Sequence, residues 1–291
     1  MYAFNGDLVS RLLASTTDAT VELVGADDEL SLVLSKGEYA LKKCETTCQP
    51  VLPTDWDARV SSSALQRVLI SASRFAFKAA TEKWFLADGV AVRIDGSSII
   101  AYSGNNARLF QFEVNNVCKG NSALWIPTQL IPTIANVSPL TDDAVNIAVV
   151  NSWIYLARFP RMVAFTPPEG KPLPSVNEII GHRLLTRVLT VDCAELKDAV
   201  LRAKTVNWKT TIKTIGDSQV RIVAKNAKWK LLFWEDIQAE VFVQKMLSFQ
   251  TAYLLDFLNA ASGLISIYSI EGTSAKLFKA GGVSACIGEF K

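Results

Sequence analysis

Residues 90–114 read VAVRIDGSSIIAYSGNNARLFQFEV. Three short runs of near-alternating apolar and polar residues are broken by Asp95-Gly96 and by Gly104 to Asn106. That is the pattern of three antiparallel strands joined by tight turns. The design recurs at 21–43 (VELVGADDELSLVLSKGEYALKK), 145–167 (VNIAVVNSWIYLARFPRMVAFTP), 211–237 (TIKTIGDSQVRIVAKNAKWKLLFWEDI) and 265–290 (ISIYSIEGTSAKLFKAGGVSACIGEF). A run with helical spacing precedes each triplet, at 7–14, 63–78, 127–137, 193–204 and 251–261. Asp7 after Gly6, Ser61 to Ser63, Thr128 beside Pro127, and Asp192 before Cys193 are helix-start residues in the expected places. The chain therefore reads as five copies of a strand-helix-strand-strand-strand (βαβββ) unit of about 60 residues. The fold class is α+β, with paired units sharing a curved sheet and burying one another's helices.

Composition narrows the chemistry. At 291 residues the chain is long for one core, so two or three domains are expected. Apolar residues make up 49% and charged residues 20%, which places the chain among folded proteins. No run approaches the roughly 18 apolar residues of a membrane helix, and MYAFNGDLVSRLL lacks the features of a secretory leader. A cytoplasmic location and no membrane partner are the expectations. Cys44, Cys48, Cys118, Cys193 and Cys286 are odd in number and form no disulfide framework, so reduced thiols are expected. His182 is the only histidine, which leaves little from which to build a nucleophilic triad or a zinc site. No Gly-rich phosphate loop is present, and Asp27-Asp28 and Asp142-Asp143 read as solvated turns. The expectation is a protein that is not an enzyme, with no catalytic residue, metal or cofactor.

Proline-bearing links at 49–60 and 170–181 divide the chain into 1–55, a half-domain, and two paired-unit domains at 59–175 and 185–291. The net charge of +2 neither demands nor excludes a nucleic acid, so placement must decide. On the 63–78 helix, Leu65, Val68, Leu69 and Ala72 form an apolar face, and Arg67, Ser71, Arg74 and Lys78 follow at spacings of four, three and four. On the 193–204 helix, Lys197, Arg202 and Lys204 stand outside Leu196, Ala199, Val200 and Ala203. Arg11 lies away from Leu8, Leu12 and Leu13, whereas the helices at 127–137 and 251–261 carry no basic residue. These cations fit either an ordinary solvated face or a surface that touches duplex phosphates without reading bases.

Four stretches carry a resemblance. SFQTAYLLDFLNAASG (248–263), LPSVNEIIG (173–181), ARLFQFE (from Ala107) and DCAELKDAVLRAK (192–204) are similar, in this order and spacing, to segments of the bacterial DNA sliding clamp, the β subunit of DNA polymerase III. The resemblance spans essentially the whole chain. Family clamps have three domains of two units each, so this chain resembles one shortened by half of the first domain, as in phage or plasmid homologues or after loss of the start.

The resemblance implies a dimeric ring with helices lining a central hole and sheets outside. Arg11, Arg67, Arg74, Lys78, Lys83, Lys197, Arg202 and Lys204 would then face double-stranded DNA. It implies a ring joint in which Lys36, Glu38, Tyr39 and Leu41 meet Thr205, Val206, Lys228 and Lys230, with charges reversed relative to the family. It implies a pocket for linear peptides of the replicative polymerase and clamp loader at Gly104, Asn106, Ala107, Arg108, Leu109, Gly181, Gln250, Tyr253 and Thr273. Ala107, Gly181 and Gln250 depart there from the family's histidine, proline and asparagine. Ten units must turn about 36° each to close, where twelve turn about 30°, so the hole narrows, the ring distorts, three chains assemble, or no ring closes. The function implied is a processivity factor. The alternative is a clamp-like decoy that occupies clamp partners or the loader without encircling DNA.

Overall fold

The computed structural model describes residues 22–26, 29–34, 37–42, 52–76, 88–105, 107–137, 143–158, 161–167, 175–226, 228 and 230–290. The chain falls into two compact units, 1–51 and 52–291. In the first, β1 (Glu22–Ala26), β2 (Glu29–Leu34) and β3 (Gly37–Lys42) form an antiparallel sheet in that order. Leu30 stands opposite Leu41 and Leu32 opposite Tyr39 in the β2–β3 register. The run at 7–14 lies outside the described residues.

The second unit holds four βαβββ copies. The first two are β4 (Ala58–Ser61), α1 (Ser62–Ser73), β5 (Gly89–Asp95), β6 (Ser98–Asn105), β7 (Arg108–Val114), then β8 (Cys118–Pro127), α2 (Ile131–Val137), β9 (Ala144–Val150), β10 (Trp153–Arg158), β11 (Arg161–Phe165). A short helix α3 (Val176–Ile180) follows. The last two copies are β12 (Leu185–Asp192), α4 (Cys193–Lys204), β13 (Lys209–Ile215), β14 (Gln219–Asn226), β15 (Leu231–Val241), then β16 (Met246–Gln250), α5 (Thr251–Ala260), β17 (Leu264–Ile270), β18 (Ala275–Ala280), β19 (Val283–Gly288). The strands form one continuous 16-stranded sheet, ordered β11-β10-β9-β4-β8-β5-β6-β7-β19-β18-β17-β12-β15-β14-β13-β16.

The β7–β19 pair joins the two halves. Phe112 stands opposite Val283 and Phe110 opposite Ala285. Glu113 N–H donates to Gly282 O at 2.9 Å. A Cβ on Gly282 would lie 2.2 Å from Glu113 O, so glycine is required for this approach. Side chains alternate along β7 as the strand period dictates. Phe110 and Phe112 enter the main core beneath the helices, while Leu109 enters a separate cluster on the other face.

Each helix buries one stripe. Leu65, Val68, Leu69 and Ala72 of α1, and Leu196, Ala199, Val200 and Ala203 of α4, are buried in the core shared with Leu254, Phe257 and Leu258 of α5. Full burial of each leucine contributes about 1.5–3 kcal/mol. Helix α1 ends at Ser73, short of the expected 78, because its last turn is captured. Ala72 O accepts from Phe75 N at 2.9 Å and from the buried Ser103 hydroxyl, and the Phe75 ring stacks on Phe110 with centroids 4.3 Å apart.

The 170–181 link holds a helix where only a connection was expected. Ser175 Oγ accepts from Glu178 N at 3.2 Å, and the Glu178 carboxylate accepts from Ser175 N at 2.6 Å, a reciprocal capping box. Asp192 caps α4, accepting from Ala194 N at 2.8 Å and Glu195 N at 3.1 Å. Ser61 makes no cap bond, its hydroxyl lying 2.9 Å from that of Ser63. Asp192→Ala is therefore expected to cost about 1 kcal/mol in urea unfolding, whereas Ser61→Ala stays within about 0.5 kcal/mol of the parent.

Candidate nucleic-acid interface

The cations on the helices divide into two groups. With the core stripe of α1 turned to the sheet, 100° per residue puts Arg67, Ile70 and Arg74 at the centre of its exposed face. All three are exposed. The Arg67 guanidinium lies 5.0 Å from the Phe112 ring centroid, a contact that orients it without neutralising it. On α4, Lys197 and Lys204 share one flank, with Asp198 and Leu201 outermost. Arg202 is on the opposite flank and is taken up by the sheet, its Nε and an Nη donating to Glu235 of β15 at 2.8 and 2.6 Å. That pairing turns Arg202 away from the Lys197–Lys204 flank. Arg11, Lys78 and Lys83 lie outside the described residues.

The residues expected to form one peptide pocket fall on two faces. Gly104 and Leu109 are paired across β6 and β7, and a side chain at Gly104 would strike Arg108 O at 2.5 Å. Leu109 packs with Val176 and Ile180 of α3 and with Ile270, Leu277 and Cys286, and Ile179, Tyr268 and Ala275 form the half-buried rim of that cluster. Burial pushes the Cys286 thiol up to about 11. Burial, and then the Glu178 carboxylate, raises the nearby Tyr102 phenol. Gly181 ends α3 at φ 53°, and Thr273 closes the β17–β18 turn, its hydroxyl 3.3 Å from Ile270 O. Ala107, exposed at the β6–β7 turn, accepts from Gly288 N at 2.8 Å. Asn106 lies outside the described residues.

Arg108 projects to the helix-bearing face instead, because it neighbours Leu109 on a strand. Its guanidinium lies between the rings of Phe75 and Tyr253, at 4.8 and 4.2 Å, donates to Arg74 O at 2.8 Å and pairs with Asp256. Its side chain is 8% exposed. Arg108 and Tyr253 are thus a tie across the joint between β7 and α5, and Gln250 opens α5 without a side-chain cap. A cavity of ≈ 500 Å³ adjoins them, lined by Ser73, Arg74, Ala76, Arg108, Thr128, Ile131, Pro132 and Asp256.

Of the residues expected at a subunit joint, the first set lies on β3 and the second in the turns after α4 and between β14 and β15. Glu38, Tyr39 and Leu41 belong to β3, whose partner among the described residues is β2. Lys36 lies outside the described residues. Thr205 and Val206 follow α4, and Lys228 and Lys230 are exposed between β14 and β15. Residues 231–238 of β15 pair with β14 alone, and β12 takes up only 239–241. The sequence reading missed what accompanies this edge, since Trp208, Leu232 and Trp234 are each more than half exposed. Their signal was the break in alternation at Leu231-Leu232 and a tryptophan four positions past the end of a helix. Among the described residues no His, Cys, Asp and Glu cluster could hold a metal, and no helix is long and apolar enough to cross a membrane.

The fold is that of DNA polymerase III β subunits. The crystal structure of that subunit from Pseudomonas aeruginosa superposes with a TM-score of 0.77 at 14% identity, covering 99% of this chain and 82% of that one. The β subunit from Thermotoga maritima gives 0.76 at 12% identity, covering 100% and 81%. A putative β subunit from Eubacterium rectale gives 0.79 at 15%, covering 99% and 81%. No protein-family model matches the chain, and no curated protein does.

The Arg108 tie has a measurable weight. Arg108→Ala leaves Asp256 unpaired beside two rings that have lost their cation, and is expected to lower unfolding stability by about 2–3 kcal/mol. Arg202→Ala, which breaks an exposed pair, is expected to leave the denaturant midpoint within the scatter of ordinary surface substitutions.

Proposed function

We propose that this chain is a DNA sliding clamp, a non-catalytic processivity factor whose copies assemble around duplex DNA. The observation that carries the reading is the placement of Arg67, Arg74, Lys197 and Lys204 on the helix-bearing side of a continuous sheet. Cations on a smooth helix surface attract phosphates while entering neither groove. Binding of that kind is independent of sequence and lets the protein translate along the duplex. Arg202 is left out of this set because Glu235 neutralises it.

Assembly is proposed to run head to tail, the β3 edge of one copy against the β15 edge of the next. Charge supports that polarity. Residues 1–51 hold eight acidic and four basic side chains, net −4, which leaves +6 for residues 52–291. Glu38 on the first edge and Lys228 and Lys230 at the second supply one pairing of opposite sign. Polymerase and loader peptides are assigned to the half-buried rim of Ile179, Tyr268 and Ala275 around Leu109, where apolar side chains extend an existing cluster.

A closed ring is held by topology, so it is expected to stay on a nicked circular duplex through a high-salt wash and to leave once the circle is cut. Light scattering of the same sample is expected to give a multiple of the chain mass. Equal retention on linear DNA with free ends, or a monomer under loading conditions, contradicts the proposal. Replacing Arg67 and Arg74 together by alanine is expected to reduce the salt slope of DNA binding by about 2, at roughly 0.9 per phosphate contact.

A further inference from the structure

The outer face of the β13–β16 sheet, opposite the helices, carries a pattern that the ring does not use. Lys213 stands directly opposite Arg221, and Lys209 and Lys225 continue the same two strands four residues away on the same face. Like charges on paired strands destabilise a sheet. Among the described residues only Arg221 of this set has a carboxylate partner, Asp236, bonded through both Nε and Nη2 at 2.7 Å. Between the two cationic rungs runs a neutral one, with Val223 opposite Trp234. The whole forms a concave pocket of ≈ 510 Å³.

We infer that this face binds an extended acidic peptide with a central apolar anchor. Rungs two residues apart are separated by about 6.7 Å, so the cationic rungs lie about 13 Å apart with the apolar rung midway. An extended peptide has the same repeat. Acidic residues at i and i+4 and an apolar residue at i+2 project from one face of it and meet cation, apolar side chain and cation in register. Leu232 and Met246, both more than half exposed on this face, widen the apolar rung's surroundings. A nucleic-acid strand fits this face less well, because Trp234 is the one aromatic ring lining the pocket and the Arg221 guanidinium covers one of its faces at 4.5 Å, which leaves no run of rings for successive bases. The inference stands whether or not copies of the chain encircle DNA.

The test is fluorescence anisotropy of the full chain with a labelled Ser-Glu-Ser-Leu-Ser-Glu-Ser peptide. Saturable binding is expected, weakened about tenfold when Lys213 and Lys225 are both replaced by glutamate. A peptide whose second glutamate is moved one position, onto its other face, is expected to bind several-fold more weakly. Lys213→Glu alone is expected to raise the melting temperature by about 1–2 °C, since it turns a like-charged cross-strand pair into an opposite one. This separates lost recognition from lost folding. Should the double glutamate variant fail to fold, Lys213→Gln with Lys225→Gln serves instead, with a several-fold loss expected. Absence of binding by the parent, undiminished binding by these variants, or displacement of the peptide by a twelve-nucleotide oligothymidylate overturns the inference.

Discussion

The pairing of β7 with β19 is the constraint on which the rest of residues 52–291 depends. It makes two domain-sized halves share one sheet, and a shared sheet has only two faces. Every helix that buries its apolar stripe against the main core stands on the same face. Gly282 permits the close approach of the strands, and Arg108 locks it from the helix side through Phe75, Tyr253 and Asp256. On the other side α3 closes the seam with Val176 and Ile180. A joint fastened on both faces holds the orientation of α1 relative to α5, and with it the direction in which the free cations look.

Two faces allow two electrostatic tasks. The helix face presents single cations, with Ile70 between them on α1 and Leu201 and Asp198 beside them on α4, a surface suited to diffuse attraction. The outer face of β13 and β14 instead concentrates cations in rungs against apolar side chains, which suits a ligand with fixed spacing. The like-charged Lys213–Arg221 pair is a cost carried by the free protein that Asp236 offsets on the Arg221 side, leaving Lys213 open to a further carboxylate.

The repeat was legible because strand alternation and helical spacing are local signals, and four βαβββ copies stand in the second unit where the pattern placed them. What escaped depended on contacts distant in sequence. The end of α1 is set by Ser103 and Phe110, about thirty residues on. Arg202 has the spacing of a free surface cation, and only the β15 edge, with Glu235, withdraws it. Arg108 and Leu109 are adjacent in the sequence, and the strand's period of two sends them to opposite faces of the sheet. The α3 helix was legible in principle, since Ser175 and Glu178 spell a capping box, but the prolines before it drew attention to the link instead.

Site-directed photocrosslinking to duplex DNA examines the account most directly. A photoreactive side chain is placed at Ile70 or Leu201, the exposed apolar positions at the crest of α1 and α4, and in a separate variant at Trp234 on the outer face. The account predicts crosslinks to loaded circular duplex from positions 70 and 201 and none from 234. Crosslinks from 234 alone, or equally from all three, would contradict it.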